Sequence, residues 1–539
     1  MFETLTTGID GLDAILGSGI RYPEGTAAFL FITGETGTGK TLLGLELLTR
    51  AFWSDDHGGR TFLFYSVEQS PSDIHKKLEF DFGRYFGAPR PVRLVESDNP
   101  SKFCLEVDAS SGGTNRLVLT HAHSALPAAK GFPIDIEWIQ AEIGNYGRIE
   151  DVGMVCIDNV GLLLNDLEYF EKRAALLEAR KLLMHNRIHG IFIQEESDGA
   201  MRFPSAEELS TDVLIRLGFE DSARFKSRSI EILKARHQYY YRGRHHFSIA
   251  GKGVNRSLYL GARSERGPGT HIYPSLAAQL SLARDESQLR VPPRGRDSIE
   301  IGPPEVREAY RNGTAPGRLS STVVLAEPGT RYTGYALNWL ARGVETGKAG
   351  LLVSTKEDED AILRICENRE SLQPLLATPT ASEAAGGSDD RRQLSPLFRL
   401  LYLHPEFLSA GKFTSDIIRM CEPGDPTQQG HPEPRIERLA FDNVHNLHRR
   451  FPLLEGQDFL IPALLDLLRY RSVTPLFIDH VPSSHETGEL EMDPSQMLST
   501  FDNVLHLFLR EKNGVPKNHV RILKSVGNDF DTRAFQVTL

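Results

Sequence analysis

Short, unbroken apolar runs alternate with longer amphipathic stretches along most of the chain. Phe29-Leu-Phe-Ile, Thr61-Phe-Leu-Phe-Tyr-Ser-Val, Val152-Gly-Met-Val-Cys-Ile and Gly190-Ile-Phe-Ile show no polar alternation. Runs of that length and kind fit strands buried on both faces of a parallel sheet. Helical spacing fills the gaps: from Leu42 to Ala51, with Glu46 and Arg50 on the polar side, from Ile134 to Ile143, and from Leu167 to Asn186. Val213-Leu-Ile-Arg-Leu-Gly and Ser229-Ile-Glu-Ile-Leu-Lys-Ala add two more strands. Alternating strands and helices predict an α/β fold, a mostly parallel twisted sheet flanked by helices.

The pattern then lapses and returns. From Ala262 to Arg296 the chain is rich in Gly, Pro, Ser and Arg and reads as linker, with a short helix from Leu276 to Leu282. Beyond it the first order of elements recurs. Ser321-Thr-Val-Val-Leu-Ala, Gly350-Leu-Leu-Val-Ser, Arg438-Leu-Ala-Phe-Asp442 and Pro475-Leu-Phe-Ile-Asp479-His480 repeat the strands of the first half in sequence. The expected organisation is a domain over 1–261, a linker over 262–296 and a second copy over 297–539. Residues 107–130 read as an inserted loop or hairpin, with His121 and His123 in it. Thr378 to Arg392 and Glu422 to Arg435 read as surface loops.

Composition changes this picture little. The chain has 539 residues, for which length alone suggests roughly three to four domains; two large α/β domains fit as well. A formal net charge of −11 supplies no global field for nucleic acid or anionic membrane. Cys104, Cys156, Cys366 and Cys421 are scattered without paired spacing, which suits a reducing cytoplasm rather than a zinc site or disulfide framework. No run has membrane-spanning length, and the amino terminus lacks the basic-then-apolar signature of a secretory leader.

The chemistry concentrates after the first apolar run. Gly34-Glu35-Thr36-Gly37-Thr38-Gly39-Lys40-Thr41 fits G-x-x-x-x-G-K-T between a strand and a helix that begins at Leu42. Glycines let successive N–H groups turn toward phosphate oxygens, and the helix adds its positive end. Lys40 reaches the β- and γ-phosphates, and the Thr41 hydroxyl is placed for Mg²⁺. Asp158, at the tip of an apolar strand, has the place of the second Mg²⁺-holding group.

Together with Thr7-Gly-Ile-Asp-Gly-Leu-Asp-Ala-Ile just ahead of it, this loop resembles the KaiC-like branch of the RecA superfamily. The resemblance spans nearly the whole chain as two tandem domains. It implies that Glu68 orients the attacking water; the family's second glutamate is Gln69 here. It implies a phosphate-sensing role for Gln194, and that Lys234 and Arg236, a K-x-R strand end, reach a neighbouring subunit's γ-phosphate. It further implies an ATP hydrolase that needs Mg²⁺, a homo-oligomer (six is the family's usual ring size) and a partner protein.

In the second copy the loop is broken: Ala326 stands for Gly34, Arg331 for Gly39 and Tyr332 for Lys40, with Gly329 and Thr333 kept. Lys524 remains, but Val526 replaces the arginine. The expectation is a pseudo-ATPase domain, and the autophosphorylation of clock proteins with two intact domains is not carried over. Two other readings are a DNA-dependent motor, favoured by His237-Gln-Tyr-Tyr-Tyr-Arg-Gly-Arg but opposed by the acidic balance, and a nucleotide-bound scaffold without turnover. The Tyr/Arg stretch reads first as a closing β-hairpin.

Overall fold

The computed structural model describes residues 1–53, 58–81, 83, 91–95, 101–110, 112–121, 134–164, 167–196, 210–222, 225–250, 268–286, 298–312, 314–377, 393–403, 409–423, 434–450, 459–482, 499–512 and 514–539. His123 and the stretches 378–392 and 424–433, read as loops from sequence, lie outside these. The chain divides into two compact units, one taking the described residues through Ala278 and the other those from Gln279.

In the first unit, six strands run parallel at the centre: Thr114–His121, Thr61–Ser66, Val152–Asp158, His189–Glu195, Phe29–Gly34 and Val213–Ser222, in that spatial order. Phe225–Ala235, Arg244–Ala250 and Gly269–Tyr273 extend one side antiparallel. Both faces are covered, so successive residues of one strand enter different cores. Leu30 and Ile32 join the cluster with Leu43, Leu48 and Phe52 from the helix Lys40–Trp53. Phe29 and Phe31 join the cluster with Leu176 and Leu183 from the helix Tyr169–His185. Double coverage is why these strands read as continuous apolar runs.

Two sequence readings change. Thr114–His121 forms the expected hairpin with Lys102–Asp108, but it is also an interior strand of the sheet beside Thr61–Ser66. The polar Thr114-Asn115-Arg116 start hid a buried Leu117-Val-Leu run. The supposed linker contains the edge strand Gly269–Tyr273, its five residues all buried, and the helix Leu276–Glu286. The Tyr/Arg stretch is the turn of the hairpin that Arg244–Ala250 completes. It packs on the unit's own start: Tyr241 N–H donates to Ile15 O at 2.9 Å, and the Gln238 amide donates to Leu16 O and Gly19 O.

The second unit repeats the parallel block as Phe398–Tyr402, Ala349–Ser354, Ile436–Asp442, Thr474–His480, Thr322–Ala326 and Asn503–Lys512, with Val515–Ser525 and Phe535–Gln536 antiparallel beyond. The copies agree in detail. Leu214 faces Lys234 and the register then slips before Ile215; Val504 faces Lys524 and the register slips before Leu505. Among the described residues no helix is long and apolar enough to cross a membrane.

Candidate functional site: the phosphate loops of the two units

In an open α/β sheet the reactive ends are the carboxyl ends of the parallel strands. In the first unit Gly34, Ser66, Asp158 and Glu195 end four adjacent strands, so one sheet edge gathers the loop, Glu68 and Asp158. The loop requires glycine where the sequence supplies it. A Cβ on Gly34 would sit 2.0 Å from Leu217 O, and Gly39 turns the chain into the helix at φ 106°. Thr38 is buried and its hydroxyl donates to Glu35 O at 2.8 Å, pinning the loop. Glu35, Thr36 and Gly37 are exposed at its crest.

Lys40 Nζ donates to Glu35 O at 2.8 Å, so the ammonium folds back over the loop. Burial lowers its pKa, and the nearby Glu195, Asp158, Glu196 and Glu68 oppose that shift. Four carboxylates thus act electrostatically on one cation at the loop. Burial pushes the Asp158 carboxyl up to about 6, against the pull of a hydrogen bond from Thr41; Glu68 adds to the rise. A buried carboxylate joined to a hydroxyl, with only Lys40 and Lys77 as nearby cationic influences, is a donor set that fits a hydrated divalent cation. Thr41 and Asp158 are the residues that would hold it.

Glu68 is exposed at its strand tip and accepts from the Asn159 side-chain amide at 3.4 Å. It does not cap the next helix, because Ser70 does so, its hydroxyl accepting from Asp73 N–H at 3.2 Å. Gln69 is held by Lys77, its side-chain oxygen accepting from Lys77 Nζ at 2.8 Å. Gln194 faces Thr33 one residue below the loop, and its side-chain oxygen is buried without a hydrogen-bond partner. Sequence alone placed Thr38 in the loop but did not single out Asn159, for which the Asp-Asn-Val repeat was the signal available.

Lys234 and Arg236 are not brought to this loop. Leu217 lies beside Gly34, whereas Lys234 lies opposite Leu214, three residues down the strand, about 10 Å away at ordinary strand rise. Arg236 is farther still, its N–H donating to Asp212 O and its guanidinium 3.9 Å from the Asp212 carboxylate. Asp212 is also held by Arg180 at 2.6 Å. These two cations cannot serve the loop of their own chain.

The second unit keeps the scaffold and loses the cradle. The Thr333 hydroxyl donates to Asp442 at 2.8 Å, and the Thr330 hydroxyl to Glu327 O at 2.6 Å, as Thr38 does to Glu35. Arg331, however, has φ −88°, so the turn that Gly39 makes at φ 106° is absent. Glu327 is buried rather than exposed and pairs with buried His506 at 2.9 Å. Tyr332 fills the place of Lys40, its ring 4.5 Å from that of His480. Ser354 aligns with Asp442 as Ser66 does with Asp158, which puts Lys356 where Glu68 stands.

The KaiC ATPase family model matches residues 5–90 and 108–256. The chain is similar over 99% of its length to the circadian clock protein KaiC3 of Synechocystis, at 22% identity and covering 90% of that protein. It is similar over its whole length to the circadian clock oscillator protein KaiC of Picosynechococcus, at 29% identity and covering 88% of that protein. A third relative, the circadian clock oscillator protein KaiC 1 of Synechocystis, matches 47% of the chain at 28% identity and is itself 44% covered.

Proposed function

We propose that this chain is a KaiC-like ATPase through its first unit, which binds and hydrolyses ATP, while the second serves as a nucleotide-free scaffold. The observation that carries the reading is the intact loop of the first unit, Lys40 folded over it beside Thr41, Asp158 and Glu68, set against the filled loop of its copy. Lys40 and the loop amides from Gly34 to Thr41 hold the triphosphate, with Leu42 in the first turn of the helix behind it. A Mg²⁺ ion held by Thr41 and Asp158 would neutralise charge on the phosphate oxygens. Glu68 orients water toward the γ-phosphate, with Gln194 within the same strand edge. Lys234 and Arg236 stabilise the developing charge in the next copy, since their own loop is out of reach. The active site is then shared, and ATP favours an assembly of this chain with itself, to which a partner protein responds.

Phosphate release by the wild type and by Glu68→Gln tests turnover: a clear loss in the variant supports the enzyme, and equal near-zero rates leave only a nucleotide-bound scaffold. Mass in solution with and without Mg-ATP tests the shared site; a monomer in both states would remove it. DNA-stimulated hydrolysis that fades steeply with salt would turn the reading toward a DNA-dependent motor.

A further inference from the structure

The second unit contains a cavity of about 350 Å³ that the proposed ATPase leaves unused. Arg331, Asn338 and Arg342 line one wall, at spacings of seven and four residues along one face of the helix Tyr332–Glu345 and the residue before it. Asn368, Arg369 and Ser371 line the facing wall. Among the described residues the lining contains three arginines and no Asp or Glu. It shares Arg331 with the former phosphate loop, but not Tyr332, Thr333, Lys356 or Asp442.

The three cations differ in how they are satisfied. Arg342 bonds Glu300 at 3.0 Å and Gly302 O at 2.8 Å. Arg331 and Arg369 have no carboxylate partner among the described residues. One terminal nitrogen of Arg369 is buried without a hydrogen-bond partner. It lies over the helix at Gly334, where a Cβ would come within 2.3 Å of it, so the missing side chain is what makes room. Burial lowers the pKa of Arg369, and the neighbouring Arg331 lowers it further. Leu539 also lines the cavity, yet no ion pair joins its carboxylate to either arginine among the described residues.

Two guanidiniums that line one cavity, Arg331 exposed and Arg369 half-buried, repel each other, and an anion between them would relieve that repulsion. Their planar forks suit phosphate oxygens, and the Ser371 hydroxyl adds a donor. Among the described residues no aromatic ring lines the cavity, so they offer no platform for a base. We propose that this cavity binds a compact phosphate anion of two or more negative charges through Arg331 and Arg369. The source is either free pyrophosphate or a phosphorylated small metabolite; the recognition chemistry is the same.

The test titrates pyrophosphate calorimetrically into the full chain carrying Lys40→Ala, which takes the first loop out of the measurement. The expected result is saturable binding that weakens about tenfold or more with Arg331→Gln, and likewise with Arg369→Gln, and that weakens as salt rises. Arg369 packs on Gly334, and its loss risks the fold. Arg331 is exposed, so Arg331→Gln reads the site even if the other variant fails to fold. A sugar bisphosphate that binds more tightly than pyrophosphate would identify a metabolite site, and the reverse order the free anion. No binding at millimolar pyrophosphate, or binding unchanged by Arg331→Gln, would overturn the proposal.

Discussion

Single residues decide which copy can grip a phosphate. Gly39 and Arg331 occupy the same step into a helix, and only the glycine takes the positive φ that turns the loop amides together. A buried aspartate remains in both. Asp442 is pushed up to about 7, first by burial and then by Glu357, while the Thr333 hydrogen bond pulls the other way. An unfolded aspartate titrates near 4 (about 3.9), so between roughly pH 4 and 7 the folded unit holds a proton that the unfolded chain has released. Stability from this group is therefore present at low pH and is lost as pH rises through that window. Asp442→Asn keeps an acceptor for Thr333 and removes the ionisation. Its melting temperature should exceed the wild type's by more at pH 8 than at pH 5, and a gain independent of pH would refute this assignment.

At the scale of elements, a buried tryptophan anchors the helix after the second unit's loop. In the second unit Trp339 is fully buried, its indole N–H donates to Glu300 O at 2.7 Å, and the Arg438 guanidinium lies 5.2 Å from the ring centre. Trp339→Ala should cost about 3–5 kcal/mol, read as a lower urea midpoint. A change under about 1 kcal/mol would mean that the helix does not depend on this anchor. Element boundaries were legible where periodicity was clean. The helix read from Leu167 to Asn186 is Tyr169–His185, and the strand that ends in Asp158 is as expected. Gly269–Tyr273 escaped because its flanks are rich in glycine, proline and charge, and its apolar residues are few. What makes it a strand is its partner Arg244–Ala250, which local sequence does not show.

For the whole molecule, the position of Lys234 and Arg236 carries the main consequence. Both sit at the end of the sheet away from the loop of their own chain, which makes the proposed active site a property of two copies. Arg236→Ala should be tolerated structurally, because Asp212 keeps Arg180 and the Phe29 N–H. Lys40→Ala and Arg236→Ala chains should each hydrolyse ATP poorly alone. Mixed, they should recover measurable turnover, since some interfaces then join an intact loop to an intact arginine. Mixtures no more active than their parents would argue that each chain works by itself.

The phosphate loop, the duplicated order of strands and the loss of lysine from the second copy are set by sequence, because each depends on residue type at fixed local spacing. Tertiary structure decided what depends on distance across the sheet. It set Lys356 in the place of Glu68, turned Glu327 inward onto His506, tied Gln69 to Lys77, and separated Lys234 and Arg236 from the loop of their own chain. Register and side-chain direction arise from pairing between strands far apart in the chain, and no local pattern of residues encodes them.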